Sequence, residues 1–177
     1  MDRIQFTILE SQLGPIALVA RGSLLLRLDV VQTDALRARK LLLAKFPDAV
    51  ESSTPFSHLG RLLDRYLKGQ RVEFDVPLEL GGLRDFTRRV LRETAKIPYG
   101  RVLSYRALGR RLGYPMAARA VGQAMGRNPI PIVIPCHRVV REDFSLGGFG
   151  LGLHVKEKLL GLEGVQLDNL RASMLNC

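Results

Sequence analysis

The chain has 177 residues and a formal net charge of +10, from 27 Lys plus Arg against 17 Asp plus Glu. A composition of 46% hydrophobic and 25% charged residues can bury a core, which excludes wholesale disorder and fits one domain or two small ones. No apolar run reaches the roughly 18 residues of a bilayer span, the start MDRIQFTILE lacks a basic segment ahead of a long apolar one, and two cysteines, Cys136 and Cys177, make no disulfide framework, so a cytoplasmic protein with no membrane partner is expected.

In chain order, Ile4 to Leu9, Ile16 to Ala20 and Leu24 to Val30 are short apolar runs separated by Leu13-Gly14-Pro15 and Arg21-Gly22-Ser23, the pattern of an antiparallel meander. Asp34 can cap a helix over ALRARKLLLAKF, with Leu36, Leu41, Leu42 and Phe46 at roughly helical spacing and a stop at Pro47. A second helix is predicted from Pro55 or Phe56 to Leu67, an extended segment from Val72 to Leu80, and a boundary at Gly81-Gly82. Beyond it the texture is helical: Asp85 to Ile97 with Phe86, Val90 and Leu91 on one side, then Tyr105 to Leu112 capped by Ser104, a turn at Gly113-Tyr114-Pro115, and a helix from about Met116 to Met125. Two short helices joined by a Gly-containing turn read as a helix-turn-helix or as a plain helical hairpin.

The charge is not spread evenly. Residues 84–141 hold 13 basic against 2 acidic residues, a net of +11, whereas the remainder holds 14 against 15, a net of −1. Twelve of the 13 are Arg, whose planar fork suits phosphates, so the segment reads as a polyanion-binding face or as a solvated basic surface. Ala117, Ala118, Ala120, Gly122 and Ala124 give the last helix a thin profile around Arg119, suited to close approach by DNA or by another helix.

The chemistry-bearing feature is Asn128-Pro129-Ile130-Pro131-Ile132-Val133-Ile134-Pro135-Cys136-His137-Arg138-Val139-Val140, in which three prolines impose a rigid, non-helical approach to Cys136. A single cysteine is by default a small core hydrophobe. Here the neighbouring His137 and Arg138 offer a positive environment that favours thiolate, and Glu163 could orient His137 in a nucleophile-activating relay. Glycines 147, 148, 150 and 152 form a loop with Phe149 as a stacking surface, without the Lys-Ser/Thr pair of a phosphate loop. Three histidines and two cysteines show no metal-ligand spacing, so neither metal nor cofactor is expected.

Pro135-Cys136-His137-Arg138-Val139-Val140, preceded by Arg119-Ala120-Val121-Gly122-Gln123-Ala124-Met125 and Asn128-Pro129, closely resembles the O6-alkylguanine-DNA alkyltransferases. The resemblance runs over roughly residues 84–165, from Ile97-Pro98-Tyr99-Gly100 and Ser104-Tyr105 to Lys156-Glu157 and Leu162-Glu163-Gly164. It implies an α+β fold: a small N-terminal antiparallel sheet with helices, ribonuclease H-like, over residues 1–82, and a mostly helical domain with a DNA-binding helix-turn-helix over residues 83–177. It implies repair of double-stranded DNA by a monomer that keeps the alkyl group of O6-alkylguanine, and of O4-alkylthymine, on its own Cys136, once per molecule.

In that reading His137 deprotonates Cys136 through a water, Glu163 orients His137, Asn128 is a hinge, and Tyr105 donates to guanine N3. The carbonyls of Cys136 and Val139 accept from the exocyclic amine, Gly150 N–H meets O6, and Phe149 and Met125 complete the substrate site. Arg119 enters the duplex while Ser104, Ala118, Gly122 and Arg138 contact DNA in the minor groove. Phe149-Gly150 departs from the Tyr and small polar residue common in the family, and loses two hydroxyls. The alternatives are a non-catalytic lesion binder, which Cys136 argues against; a helix-turn-helix DNA-binding regulator, which leaves the Pro-Cys-His-Arg segment unexplained; and a cysteine hydrolase, which has no need of the basic segment.

Overall fold

A computed structural model describes residues 3–169, and the chain divides after Gly82 into two units. In the first, β1 (Ile4–Leu9), β2 (Ile16–Arg21) and β3 (Leu24–Val30) form the expected antiparallel meander. Helix α1 (Ala35–Lys45) returns the chain to β4 (Val50–Glu51), which pairs parallel to β1, so the sheet is mixed, with order β3-β2-β1-β4. The fourth strand has two exposed residues and no apolar alternation, which is why the sequence did not disclose it.

Asp34 caps α1 by accepting from the Arg37 N–H at 2.8 Å. The buried face is Ala38 and Leu42, packed toward Phe6, Ala17 and Val19, and not the Leu36/Leu41 stripe, which is 64% and 49% exposed. Leu36 lies two residues from Ala38, about 200° around the helix, so both cannot face the sheet. A 3-10 turn (Thr54–Phe56) leads into α2 (Ser57–Leu67), which buries Leu59, Leu62, Leu63, Tyr66 and Leu67. Residues 72–80 are not a ladder strand; they meet β3 through one bridge, with the Leu25 N–H donating to Pro77 and the Glu79 N–H to Leu25, both at 2.9 Å. Pro77 has no N–H to extend the ladder.

The second unit is built on α3 (Asp85–Ala95), α4 (Tyr105–Arg111), α5 (Ala118–Met125) and α6 (Leu153–Leu162). Helix α3 packs against α4 and α5, burying Val90, Leu91, Leu108, Val121 and Ala124; buried Thr94 is accommodated because its hydroxyl donates back to Val90 O at 2.8 Å. Helix α3 stops two residues before Ile97, and α5 starts two residues after Met116, because residues 114–117 first form a turn in which the Ala117 N–H donates to Tyr114 O. Gly113 supplies the left-handed conformation (φ 83°) that ends α4.

Two short strands, β5 (Leu103–Ser104) and β6 (Val139–Val140), pair in parallel and bring the start of α4 beside the Cys136 segment. Residues 130–140 are buried without exception, and Cys136–Arg138 form a 3-10 turn against which α3 and α6 pack. Among the described residues no helix is long and apolar enough to cross a membrane, and no group of three or more His, Cys, Asp or Glu could hold a metal. Cys177 lies outside the described residues.

Candidate active site

The proline-rich approach delivers Cys136 to the floor of a cavity of about 520 Å³ in the second unit. Helix α5 supplies Ala118, Arg119, Gly122 and Met125 to one wall, the glycine loop supplies Gly147, Gly148, Phe149 and Gly150 to another, and Tyr105 and Arg141 complete the lining. The size and mostly apolar character suit a flat heteroaromatic ligand with a few directed polar groups.

Asn128 holds the segment together. Its Oδ1 accepts from the Ile130 N–H at 3.0 Å, which fixes the amide orientation, and its Nδ2 then donates to Ile134 O at 3.0 Å and to Cys136 Sγ at 3.1 Å. Between these anchors Ile132 adopts φ 74°, a left-handed conformation costly for a β-branched residue and sustained by its complete burial. Burial pushes the Cys136 thiol above its ordinary range; the Asn128 hydrogen bond and the positive charge of Lys156 pull it back.

The His137 and Arg138 charges are not the source of that help. His137 is fully buried, and burial lowers its pKa despite the opposing influence of Glu163, so the ring is neutral near pH 7. Its Nε2 lies 2.8 Å from Glu163 Oε1. Arg138, expected at the DNA surface, is 6% exposed and turned inward: Nε and Nη2 reach Glu163 at 2.9 Å, and Nη1 donates to Ile97 O at 2.6 Å. A guanidinium so committed has no reach to a phosphate.

Glu163, at the C-terminal end of α6, also accepts from the Gly100 N–H at 3.0 Å. Burial alone would raise its pKa, but the hydrogen bonds of His137 and Arg138 and the positive charge of Arg138 outweigh this and bring it down to about 2. Because Glu163 is ionised, His137 Nε2 carries the proton and donates, which leaves Nδ1 as the basic nitrogen.

Tyr105 opens α4, and its hydroxyl donates to Gly148 O at 3.2 Å. Burial and the nearby Cys136 raise its pKa, so the phenol remains a donor at neutral pH. Gly147, with φ 66°, permits this packing: a Cβ there would lie 2.9 Å from Tyr105 Cε2 and 3.0 Å from its oxygen. Ser104 is a helix cap, accepting from the Ala107 N–H at 3.1 Å and donating to Glu142 at 3.3 Å, and does not line the cavity. Val139 is also absent from the lining; its carbonyl accepts from Lys156 Nζ at 2.6 Å, while the Cys136 carbonyl accepts from the Val139 N–H.

Lys156, quoted in the sequence only within the family motif, and Arg141, counted there only for its charge, also belong to the site. Lys156 is fully buried on α6, bonds both Val139 O and Leu146 O, and sits 5.9 Å and 6.0 Å from the ring centroids of Tyr105 and Phe149. Burial lowers its pKa to about 8, with Cys136 opposing. The signal was present: Lys156 shares the i, i+3, i+4 stripe of Leu159 and Leu160, which places a lysine on the buried face. Arg141 carried no signal beyond its charge.

Arg84, Arg92, Arg101, Arg106, Arg110, Arg119, Arg127 and Arg141 have no carboxylate partner within 4.0 Å among the described residues, so the basic excess of this unit is uncompensated.

A family model described as "6-O-methylguanine DNA methyltransferase, DNA binding domain" matches residues 85–165, and one described as "6-O-methylguanine DNA methyltransferase, ribonuclease-like domain" matches residues 4–80. The chain is 39% identical over 167 residues to the methylated-DNA–protein-cysteine methyltransferase of Methanosarcina barkeri, spanning 94% of this chain and 99% of that one. Its identity to the methyltransferase of the same name from Mycobacterium tuberculosis is 38% over 160 residues, 90% of this chain and 92% of that one. Crystal structures of the M. tuberculosis O6-methylguanine methyltransferase, and of OGT from the same organism in complex with DNA, match with TM-scores of 0.77 and 0.78 at 37% and 36% identity, each over 90% of this chain and 92% of that chain. With both halves matched in order and a cysteine on the cavity floor, the chain belongs to the 6-O-methylguanine DNA methyltransferase family.

Proposed function

We propose that Cys136 is the alkyl acceptor and that the cavity above it receives an extruded O6-alkylguanine. The observation that carries this reading is the placement of Cys136 Sγ, hydrogen-bonded to Asn128, on the floor of a cavity walled by α5, Tyr105 and the glycine loop. The thiol proton passes through a water to His137, whose Nδ1 is the basic nitrogen once Nε2 donates to Glu163. The thiolate then attacks the alkyl carbon in line, the carbon–O6 bond breaks, and its electron pair passes into the purine ring as Tyr105 donates to N3. The product is a thioether, which nothing in the site hydrolyses, so each molecule reacts once.

An O6 substituent lies inside the base stack, out of reach of a buried sulfur, so the nucleotide must leave the duplex at a cost of a few kcal/mol. Arg119, exposed on α5 at the cavity wall, fills the vacated space, and Ala118 and Gly122 let α5 approach the minor groove. Met125 and Phe149 flank the base, and Gly150 N–H meets O6. Residues 83–177 form the alkyltransferase domain with its helix-turn-helix, residues 1–82 support it, and the protein works as a cytoplasmic monomer, with O4-alkylthymine as a further substrate.

Mass spectrometry after mixing with an O6-methylguanine duplex tests the reading. One methyl group per molecule is expected, on the peptide containing Cys136 and not on that containing Cys177. Unmodified protein that only retards the DNA in a gel would identify a lesion binder instead.

A further inference from the structure

We infer that Arg141 is a positioning residue that grips a phosphate flanking the extruded nucleotide at the cavity rim. The inference rests on the acceptor reading above. Arg141 follows β6 directly and lines the cavity, yet is itself exposed, which puts it at the opening and not on the floor. Its backbone is held in a closed turn, with the Arg141 N–H donating to Ser145 O at 2.9 Å and the Phe144 N–H returning to Arg141 O at 3.1 Å. The neighbouring acids bond to other groups: Glu142 accepts from Ser104 at 3.3 Å and Asp143 accepts from Ser145 at 2.6 Å. No carboxylate lies within 4.0 Å of its guanidinium among the described residues.

A purine offers such a cation only neutral acceptors. The groups that must arrive there with the base, and that carry full negative charge, are the two phosphates of its own nucleotide, which the guanidinium fork fits in a bidentate, charge-assisted manner. Arg119 lines the same cavity from α5, on a different element, so the two cations divide the work: one replaces the base in the stack and the other holds the backbone that carries it out. The charge of Arg141 also reaches Tyr105, where it favours the ionised phenol. That supplies a competing role, and the test must separate the two.

Single-turnover transfer to Cys136 is measured for the wild type, Arg141→Ala and Arg141→Lys with three substrates: an O6-methylguanine duplex, the same duplex with an uncharged methylphosphonate linkage placed 5′ or 3′ of the lesion, and free O6-benzylguanine. Loss of one charge-assisted contact predicts roughly ten-fold slower transfer from the normal duplex in Arg141→Ala, a loss at least about five times larger than with the free base, and partial rescue in Arg141→Lys. At one of the two linkages the methylphosphonate should slow the wild type similarly and add no further loss to Arg141→Ala. Equal slowing on duplex and free base would overturn the inference in favour of an effect through Tyr105, as would losses that multiply at both linkages. Wild-type transfer in the same assay checks the acceptor reading separately.

Discussion

Replacing Glu163 by Gln changes one atom in the buried network behind Cys136. Four donors converge on the carboxylate: His137 Nε2 and Arg138 Nη2 on Oε1, the Gly100 N–H on Oε2, and Arg138 Nε on both. An amide has one acceptor oxygen, so its NH₂ confronts three of these donors at the Oε1 position or two at the Oε2 position, and the Arg138 charge loses its counter-ion inside the protein. Breaking a buried pair from one side costs about 3–5 kcal/mol. The lowered pKa of Glu163 gives the same scale: the gap between the ordinary carboxyl value of 4.5 and about 2 corresponds to about 3.5 kcal/mol at roughly 1.4 kcal/mol for each pH unit. For a chain of this size the melting temperature should fall by roughly 6–20 °C.

The pH dependence follows from the sign of the shift. The unfolded chain takes up this proton first, so the stabilisation is fully present above about pH 4.5 and lost as pH falls toward about 2. Calorimetric melts of wild type and Glu163→Gln across that window should therefore converge on acidification. A variant that melts within about 2 °C of the wild type at pH 7, or a difference that stays constant through the window, would refute the account of this network.

Three further perturbations test the surroundings of the cavity. Gly147→Ala forces a Cβ to within 3.0 Å of Tyr105 at a left-handed φ, so a cost of about 1–3 kcal/mol and slower transfer even from free O6-benzylguanine are expected; an unchanged rate would show that Tyr105 does not need its present position. Lys156→Met removes the positive charge near Cys136, so the midpoint of iodoacetamide alkylation of that thiol should move to higher pH, and a midpoint that moves down or stays fixed contradicts the reading of Lys156 as the local cation. Ser104→Ala removes the cap of α4 and should cost about 1 kcal/mol, read by chemical denaturation as a lower midpoint with an unchanged slope.

Where short-range rules govern, the sequence was informative. Asp34 and Ser104 cap the helices they precede because an Asp or Ser side chain reaches the N–H three residues on whatever the tertiary context. The prolines and the β-branched run around Cys136 announced a rigid buried segment, and the clustering of arginines between residues 84 and 141 marked the charged unit before any fold was known. Of the four α1 positions at helical spacing, Leu42 is buried and Phe46 packs against the same cluster, whereas Leu36 and Leu41 face solvent and the small Ala38 takes the inward place.

Tertiary structure alone decided what each charge does. Arg138 is adjacent in sequence to both Cys136 and the basic surface, yet it points inward because α6 ends with Glu163 against the 3-10 turn, 25 residues further along the chain. Lys156, given no role in the sequence beyond its place in the family motif, becomes the cation that acts on the thiol because the same helix packs its apolar stripe onto that turn. A sequence determines which groups are available and how the chain bends locally. The partner of a buried charge is set by which elements close over it, since a desolvated ion must find its counter-charge wherever packing places one.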